Sequence, residues 1–203
     1  MEVLIFDHMD QCSEAEVQRM LPLVSEQRRE QALRYKHLFG QFCCLKSWLM
    51  LYELVGMTSY RYNEWQYNEH GKPFIENGPY FSISHCKEGI AVAVDDQPIG
   101  IDIEAIRHAN NDLVERVMNE KEKSQITNHH GSADRQKSPI ESARAFTRLW
   151  TQKEAIVKAE GVGIQSFEQI QKILEMGDWK LDTIEKEKYI YSIAYGKLHC
   201  IGA

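Results

Sequence analysis

The stretch Ile99-Gly100-Ile101-Asp102-Ile103-Glu104 restricts the fold of this chain more than any other. Isoleucine holds every odd position, and glycine and two acids hold the even ones. Period-two alternation of β-branched residues is the pattern of a half-buried strand with one apolar face. The opposite face carries two carboxylates at i and i+2, with Cα atoms roughly 6–7 Å apart. Like charges at that spacing raise each other's pKa or recruit a cation. A hard cation such as Mg²⁺ takes oxygen ligands of this kind together with phosphate oxygens of a substrate. Two readings of the face stay open at this point: a metal-binding strand, or a solvated strand face ending a hairpin.

The segments around this strand come in a repeated order. Val3–Phe6 reads as a strand, and Ser13 caps a short helix. Residues 25–34 form a charged helix with Arg28, Arg29 and Arg34, preceded by Arg19. Leu38, Phe42, Leu45, Leu49 and Tyr52 step by fours and threes, the apolar stripe of a long helix that stops at Gly56. A strand over 62–67, a turn at His70–Pro73 and strands over 81–85 and 90–94 complete the first half. After the turn at 95–98 comes the strand 99–104, then short helices over 112–118 and 119–126 and a loop over 127–139. A long helix over 140–160 is closed by Gly161, and strands follow over 179–184, 189–195 and 198–201. Val3 answers to Ile99, Phe42 to Phe146 and Phe81 to Trp179 at a near-constant offset. The order predicts a duplicated α+β unit with a ligand site between its halves; two halves alike by chance remain the alternative.

Composition narrows the function classes. With 203 residues, 43% hydrophobic and 27% charged, the chain has enough apolar surface for a real core. A formal net charge of −6 excludes a broad basic field for nucleic acid, so any anion site must be a local cluster. The five cysteines (Cys12, Cys43, Cys44, Cys86 and Cys200) are odd in number and lack CxxC spacing. They argue against a disulfide framework and a thiolate zinc site, and suit a reducing cytoplasm. The N-terminus turns polar by Asp7 and does not read as a signal peptide. The most apolar run, 42–55, is broken by Lys46 and Glu53 and is too short to span a bilayer, so no membrane is expected as a partner.

Several side chains stand out as chemical candidates. Trp150, Glu154 and Lys158 share one face of the second long helix. Glu154 near Asp102 and Glu104 would complete a three-carboxylate metal site, with Lys158 neutralising phosphate oxygens one turn on. As an exposed helix pair, Glu154 and Lys158 would stabilise by only about 0.3–0.5 kcal/mol. Gly161-Val162-Gly163 ends that helix and lets backbone approach a ligand. Phe81-Ser82-Ile83-Ser84-His85 alternates, and His85 reads either as a phosphate or ribose contact or as a structural residue. No acid at motif spacing supports a Ser-His-Asp triad. Lys72 stands on the rigid turn Gly71-Lys72-Pro73, and Arg28 and Arg29 at a helix start offer bidentate phosphate contacts. Exposed turn and solvated helix are their alternatives.

Together these residues resemble the surfactin-synthetase-type 4′-phosphopantetheinyl transferases. The likeness runs from Ser25 to Gly163. It is carried in order by Gly71-Lys72-Pro73, Ile83-Ser84-His85, Pro98-Ile99-Gly100-Ile101-Asp102-Ile103-Glu104 and Leu149-Trp150-Thr151-Gln152-Lys153-Glu154-Ala155-Ile156-Val157-Lys158. The pairing of GIDIE with WxxKEAxxK is highly specific. The resemblance implies an α+β pseudo-dimer of two similar halves, each a long helix packed on a small, mainly antiparallel sheet. Residues 1–97 would form the half holding the coenzyme A nucleotide, and 98–203 the half holding the metal and docking the carrier. The implied reaction is Mg²⁺-dependent transfer of 4′-phosphopantetheine from coenzyme A to a serine of an apo carrier protein, releasing adenosine 3′,5′-bisphosphate.

At residue level, the resemblance makes Asp102, Glu104 and Glu154 the Mg²⁺ ligands and Glu154 the base, acting directly or through water. Lys158 and His85 fall on the pyrophosphate side, Lys72 and Ser84 at the nucleotide pocket, and Arg28 toward the 3′-phosphate. Glu122 matches an acid that helps organise the site. The polar face of 99–104 is expected to look into the cleft between the halves. There are departures: Gln31 replaces a second basic residue, Cys43 and Cys44 stand where a helix arginine is frequent, with Lys46 as a substitute, and Cys86 replaces a serine. The carrier is expected near 119–139, through Arg116, Lys121 and Lys123 or through apolar contacts. A cytoplasmic monomer is implied. A Mg²⁺-dependent nucleotide pyrophosphohydrolase and a non-catalytic coenzyme A or carrier-binding homologue are the alternatives.

Overall fold

The computed structural model describes residues 1–56, 65–127 and 138–196. The first half contains β1 (Glu2–Phe6), α1 (Glu14–Met20), α2 (Glu26–Leu33), α3 (Leu38–Val55), β2 (Trp65–Tyr67), β3 (Pro73–Ile75), β4 (Tyr80–Cys86) and β5 (Gly89–Asp95). The second contains β6 (Ile99–Ala105), α4 (Asn111–Val117), α5 (Glu120–Thr127), α6 (Pro139–Glu160), α7 (Phe167–Lys172), β7 (Lys180–Glu185) and β8 (Tyr189–Tyr195). The expected strand 198–201, Cys200, most of the 127–139 loop and the start of the 62–67 strand lie outside the described residues.

Helix starts follow their caps. The side chains of Ser13, Ser25, Asn110, Ser138 and Ser166 each accept a hydrogen bond from the backbone amide three residues on. At α6 the cap is reciprocal, with Glu141 reaching back to the Ser138 amide, and Pro139 fills the first turn. The helix ends at Gly161, whose φ of 73° lies in the left-handed region that favours glycine.

The duplicated order is realised as two three-stranded antiparallel sheets, β1-β5-β4 and β6-β8-β7. In each, the first strand of the half pairs with the last, and the last pairs with the penultimate. A long helix covers each sheet, α3 on the first and α6 on the second. The halves differ in what is inserted between the long helix and the last two strands. The first half inserts the β2–β3 hairpin, a separate two-stranded sheet, and the second inserts α7. Neither β3 nor α7 was expected. Each is shorter than the window over which period can be read, and β3 begins on a proline.

Two expectations are corrected. The α3 stripe is too narrow: Cys43, Cys44, Ser47, Trp48, Met50 and Leu51 are buried with Phe42, Leu45 and Tyr52, whereas Leu38 and Leu49 are only partly covered. The reason is that α3 packs on β5 on one side and on α1 and α2 on the other. The strand β6 is likewise covered on both faces, so neither the solvated face nor the open acid face holds. Ile99, Ile101 and Ile103 pack between the sheets against Ala91 and Ala93 of β5 and Ile193 and Tyr189 of β8. Burying each isoleucine there stabilises by about 1.5–3 kcal/mol. On the other face, a Cβ at Gly100 would collide with the Ala155 carbonyl oxygen and the Ala159 amide nitrogen of α6. Asp102, two residues along, is only 4% exposed. Among the described residues no helix is long and apolar enough to cross a membrane.

Gly100→Ala forces α6 away from the sheet and is expected to cost more than about 3 kcal/mol in urea unfolding, well beyond the ~1 kcal/mol of the core control Ile103→Val. Equal midpoints for the two variants would refute the close approach.

Candidate active site

Asp102 is positioned by three elements at once. Its strand β6 pairs with β8, its flank meets β4 of the first half, and α6 lies over it. Ser84 Oγ of β4 donates to Asp102 Oδ1 at 2.7 Å. Lys158 Nζ of α6 contacts the same oxygen at 2.6 Å and Ser84 Oγ at 2.8 Å. The other carboxylate oxygen, Oδ2, is buried and has no hydrogen-bond partner among the described residues. Just above, Ser82 Oγ accepts from the Ile101 amide at 3.0 Å, so two serine hydroxyls stitch the sheets together. Ser84 gives its proton to Asp102 rather than to His85, so no catalytic triad forms.

Glu104 and Glu154 complete an acidic group around Asp102. Burial raises the Glu104 carboxyl above its usual range, Asp102 raises it further, and Arg107 and Lys158 pull it down. The Arg107 guanidinium lies 3.9 Å away, and the Trp150 indole also draws the carboxyl's pKa down. Glu154 is raised first by burial and then by Asp102, against the pull of Lys158. The exposed Glu–Lys helix pair is thereby excluded: Glu154 is half-buried, and the ammonium of Lys158, 29% exposed, is committed to Asp102. Among the described residues no three His, Cys, Asp or Glu side chains stand assembled as a metal cage. The donor set nevertheless suits a hard divalent cation: three carboxylates that repel one another, one with a buried oxygen lacking any partner.

Beside this group opens a cleft of about 490 Å³ between the halves. Its walls include Arg28, Lys72, His85, Glu154 and Lys158, five of the residues singled out in sequence. Asp102, Glu104 and Ser84 do not line it; Ser84 lies behind the wall, bonded to Asp102 and Lys158. Arg28, held at the first turn of α2, stacks over the Trp48 ring at 3.6 Å and donates to Tyr67 Oη at 3.3 Å. Lys72 Nζ donates to the Lys158 carbonyl at 2.5 Å, at the C-terminal end of α6. Burial pushes this amine down to about 8. Cys44 lines the cleft, but Lys46 does not take the missing arginine's place, because its ammonium lies over the Phe6 ring at 4.3 Å. Trp48 and Tyr67 were missed; an aromatic on a helix stripe or strand carries no mark that separates cleft from core.

Glu122 has a partner that sequence reading passed over. Lys153, fully buried on α6, pairs with Glu122 Oε2 at 2.9 Å and donates to the Ile170 carbonyl at 2.6 Å. The pair fixes α5 and α7 to the helix that carries Glu154 and Lys158. Of the cations expected to meet a carrier, Lys123 is already paired with Glu115 at 2.5 Å and Glu120 at 2.9 Å.

The second half matches a sequence family. The pattern of the 4′-phosphopantetheinyl transferase superfamily matches residues 98–194. A 4′-phosphopantetheinyl transferase AcpT of Salmonella typhimurium is 32% identical over 149 residues, covering 68% of this chain and 72% of that protein. This chain belongs to the 4′-phosphopantetheinyl transferase superfamily. A 4′-phosphopantetheinyl transferase of Bacillus subtilis is 31% identical over 163 residues, covering 75% of this chain. The 4′-phosphopantetheinyl transferase gsp of Aneurinibacillus migulanus is 30% identical over 144 residues, covering 70% of it. The matched region spans 66% of the Bacillus subtilis protein and 57% of the Aneurinibacillus one.

Lys153→Met leaves the Glu122 charge buried without its partner and is expected to lose about 3–5 kcal/mol in urea unfolding. Adding Glu122→Gln should recover part of that loss, and a purely additive double mutant would show that the pair is not coupled. The Lys72 amine binds fewer protons folded, with its pKa near 8, than unfolded, near 10.5. Its contribution to stability therefore rises as pH climbs from 8 to 10.5. The slope of the urea midpoint against pH in that window should flatten in Lys72→Met; an unchanged slope would remove Lys72 as its source.

Proposed function

We propose that this protein transfers 4′-phosphopantetheine from coenzyme A to a serine of an apo carrier protein, with Mg²⁺ held by Asp102, Glu104 and Glu154. The observation that carries the reading is the juxtaposition of two opposite charge sets across one cleft. Arg28, Lys72 and Lys158 gather on a chain whose net charge is −6, with the His85 imidazole, whose pKa burial lowers, among them and three mutually repelling carboxylates beside them. A ligand rich in phosphate, bound with a divalent cation, satisfies both sets. Family membership supports the same reading.

In this reading the first half holds the nucleotide end. Arg28, stiffened by Trp48 and Tyr67, presents a guanidinium to a terminal phosphate. His85 stands on the cleft wall toward the pyrophosphate, with Phe39 against its ring at 6.3 Å. Lys72 supports the pocket from its seat on α6 rather than by direct contact, and Ser84 acts by orienting Asp102 and Lys158. When bound, the ion offsets the negative charge that builds on the pyrophosphate oxygens. Lys158 turns from Asp102 toward the departing bisphosphate and stabilises its charge. Glu154, at the cleft edge, takes the proton of the carrier serine, directly or through one water. A carboxylate that also holds a cation is a weak base, which favours the relay through water. The half 98–203 then serves the carrier and the half 1–97 the nucleotide, in a protein acting as a monomer in the cytoplasm.

The test is incubation with coenzyme A, Mg²⁺ and several apo carrier proteins, followed by intact mass of the carrier. A mass gain of one phosphopantetheine is expected, and Asp102→Ala should lower the rate by roughly a hundredfold or more. Release of adenosine 3′,5′-bisphosphate without any carrier would favour the pyrophosphohydrolase instead. Coenzyme A binding with no turnover on any carrier would overturn the enzymatic reading.

A further inference from the structure

The β2–β3 hairpin forms part of the cleft wall through Tyr67, His70, Gly71, Lys72 and Pro73, yet it is hydrogen-bonded into neither three-stranded sheet. Side chains must therefore hold it in place. Toward the first half, Tyr67 Oη accepts from Arg28 and donates to Gln31 Oε1 at 3.4 Å. Toward the second half, the link is Asn68. Its Nδ2 donates to the Gly161 carbonyl at 2.8 Å, just past the C-terminus of α6. Its Oδ1 accepts from the amides of His70 at 3.0 Å and Lys72 at 2.8 Å, and its backbone pairs with Lys72 and Gly71. One side chain thus shapes the hairpin turn and fastens that turn to the other half.

The fastening point is chemically apt. The last turn of an α-helix leaves carbonyls without intrahelical donors. Lys72 takes that of Lys158, and Asn68 takes that of Gly161, so the first half caps the helix of the second. Gly161 permits the approach, because a Cβ there would stand 3.0 Å from Lys72 Cδ and 3.5 Å from Asn68 Nδ2.

We infer that Asn68 is a positioning residue that holds the β2–β3 hairpin closed on the C-terminus of α6 and thereby sets the affinity of the cleft for coenzyme A. The inference rests on the proposed coenzyme A reading of the cleft. A ligand that needs the hairpin in place binds in proportion to the fraction of molecules in which it is in place. Loss of the Asn68 donor lowers that fraction, and the wall must be ordered when the ligand arrives.

Asn68→Asp separates the two duties. The carboxylate keeps an acceptor for the turn amides, and it replaces the donor to Gly161 with a negative charge facing that carbonyl. Coenzyme A binding is measured by titration calorimetry on the full chain, and amide hydrogen exchange on the ligand-free protein. The variant should bind coenzyme A about tenfold more weakly (~1.4 kcal/mol). It should also exchange faster both at residues 66–73 and at 158–161. A variant that binds as tightly as the wild type overturns the inference and leaves the reading of the cleft intact. Weaker binding with unchanged exchange at 158–161 also overturns it, because Asn68 would then act by direct contact. A wild-type protein that does not bind coenzyme A overturns the cleft reading and the inference with it.

Discussion

The contact on which the rest depends is the approach of α6 to β6 at Gly100. Ala155 and Ala159, one turn apart on α6, face a strand position with no side chain. Helix and strand backbones come together there as closely as atoms allow. That distance brings the short side chain of Asp102 within reach of the ammonium of Lys158, on the same helix as Ala155 and Ala159. A larger residue at 100 or 159 would separate the two. The opposite face of the strand is fixed as firmly, since three isoleucines fill the space against two alanines of β5. Asp102 is thus held by packing on both sides of its strand, and the geometry of the acidic group follows from apolar contacts rather than from its charges.

Duplication supplies the frame, and asymmetry supplies the site. The two sheets share one topology, and their long helices lie on corresponding strands. Yet the cleft draws on parts that the halves do not share. The first half contributes Arg28 and the β2–β3 hairpin, and the second contributes β6 and the C-terminal end of α6. In the second half the slot of the hairpin is filled by α7, whose Ile170 carbonyl receives Lys153. One insertion reaches across to the partner half, while the other braces the helix from within. The first half holds none of the three carboxylates, and the second holds them with Lys158 but without Arg28 and Lys72.

Much of this was legible in the sequence, for reasons that differ by element. Caps and periodicity mark α6 and the strands because each is a local rule about a few residues. Alternation in 99–104 identified the strand but not its surroundings, since a glycine and a carboxylate on the second face look the same against water or against a helix. The motif residues Glu154 and Lys158 were found, while Lys153, next to Glu154 in the same motif, was given no role. Its burial depends on Glu122 and on the carbonyls of α7, partners that only the tertiary fold brings near. Lys46 was misread for the converse reason. It occupies the expected helix, but its stem runs along Phe6, away from the cleft. Ser84 shows a third limit: alternation placed it correctly on the face opposite His85, but the identity of that face was decided by Asp102.

The cations of the cleft are not equivalent, and their differences order the site. Lys158 is neutralised by Asp102, and Lys72 spends its ammonium on helix carbonyls that already favour positive charge. Arg28 is held instead by an aromatic face, a phenol and the Cys44 sulfur, and among the described residues it forms no ion pair. Its charge is fixed in direction and still open to an anion. Over the whole chain the acids prevail, but screening confines their effect to about 8–10 Å at moderate salt. At contact distance the arginine meets Trp48, Tyr67 and Cys44. In the proposed reading, a phosphate entering the cleft meets one cation ready for it at the first half. At the second half it meets another cation, Lys158, that must first leave its own carboxylate. Under the proposed coenzyme A reading, binding at the nucleotide end is thus pre-arranged, while charge stabilisation at the reacting end has to be released.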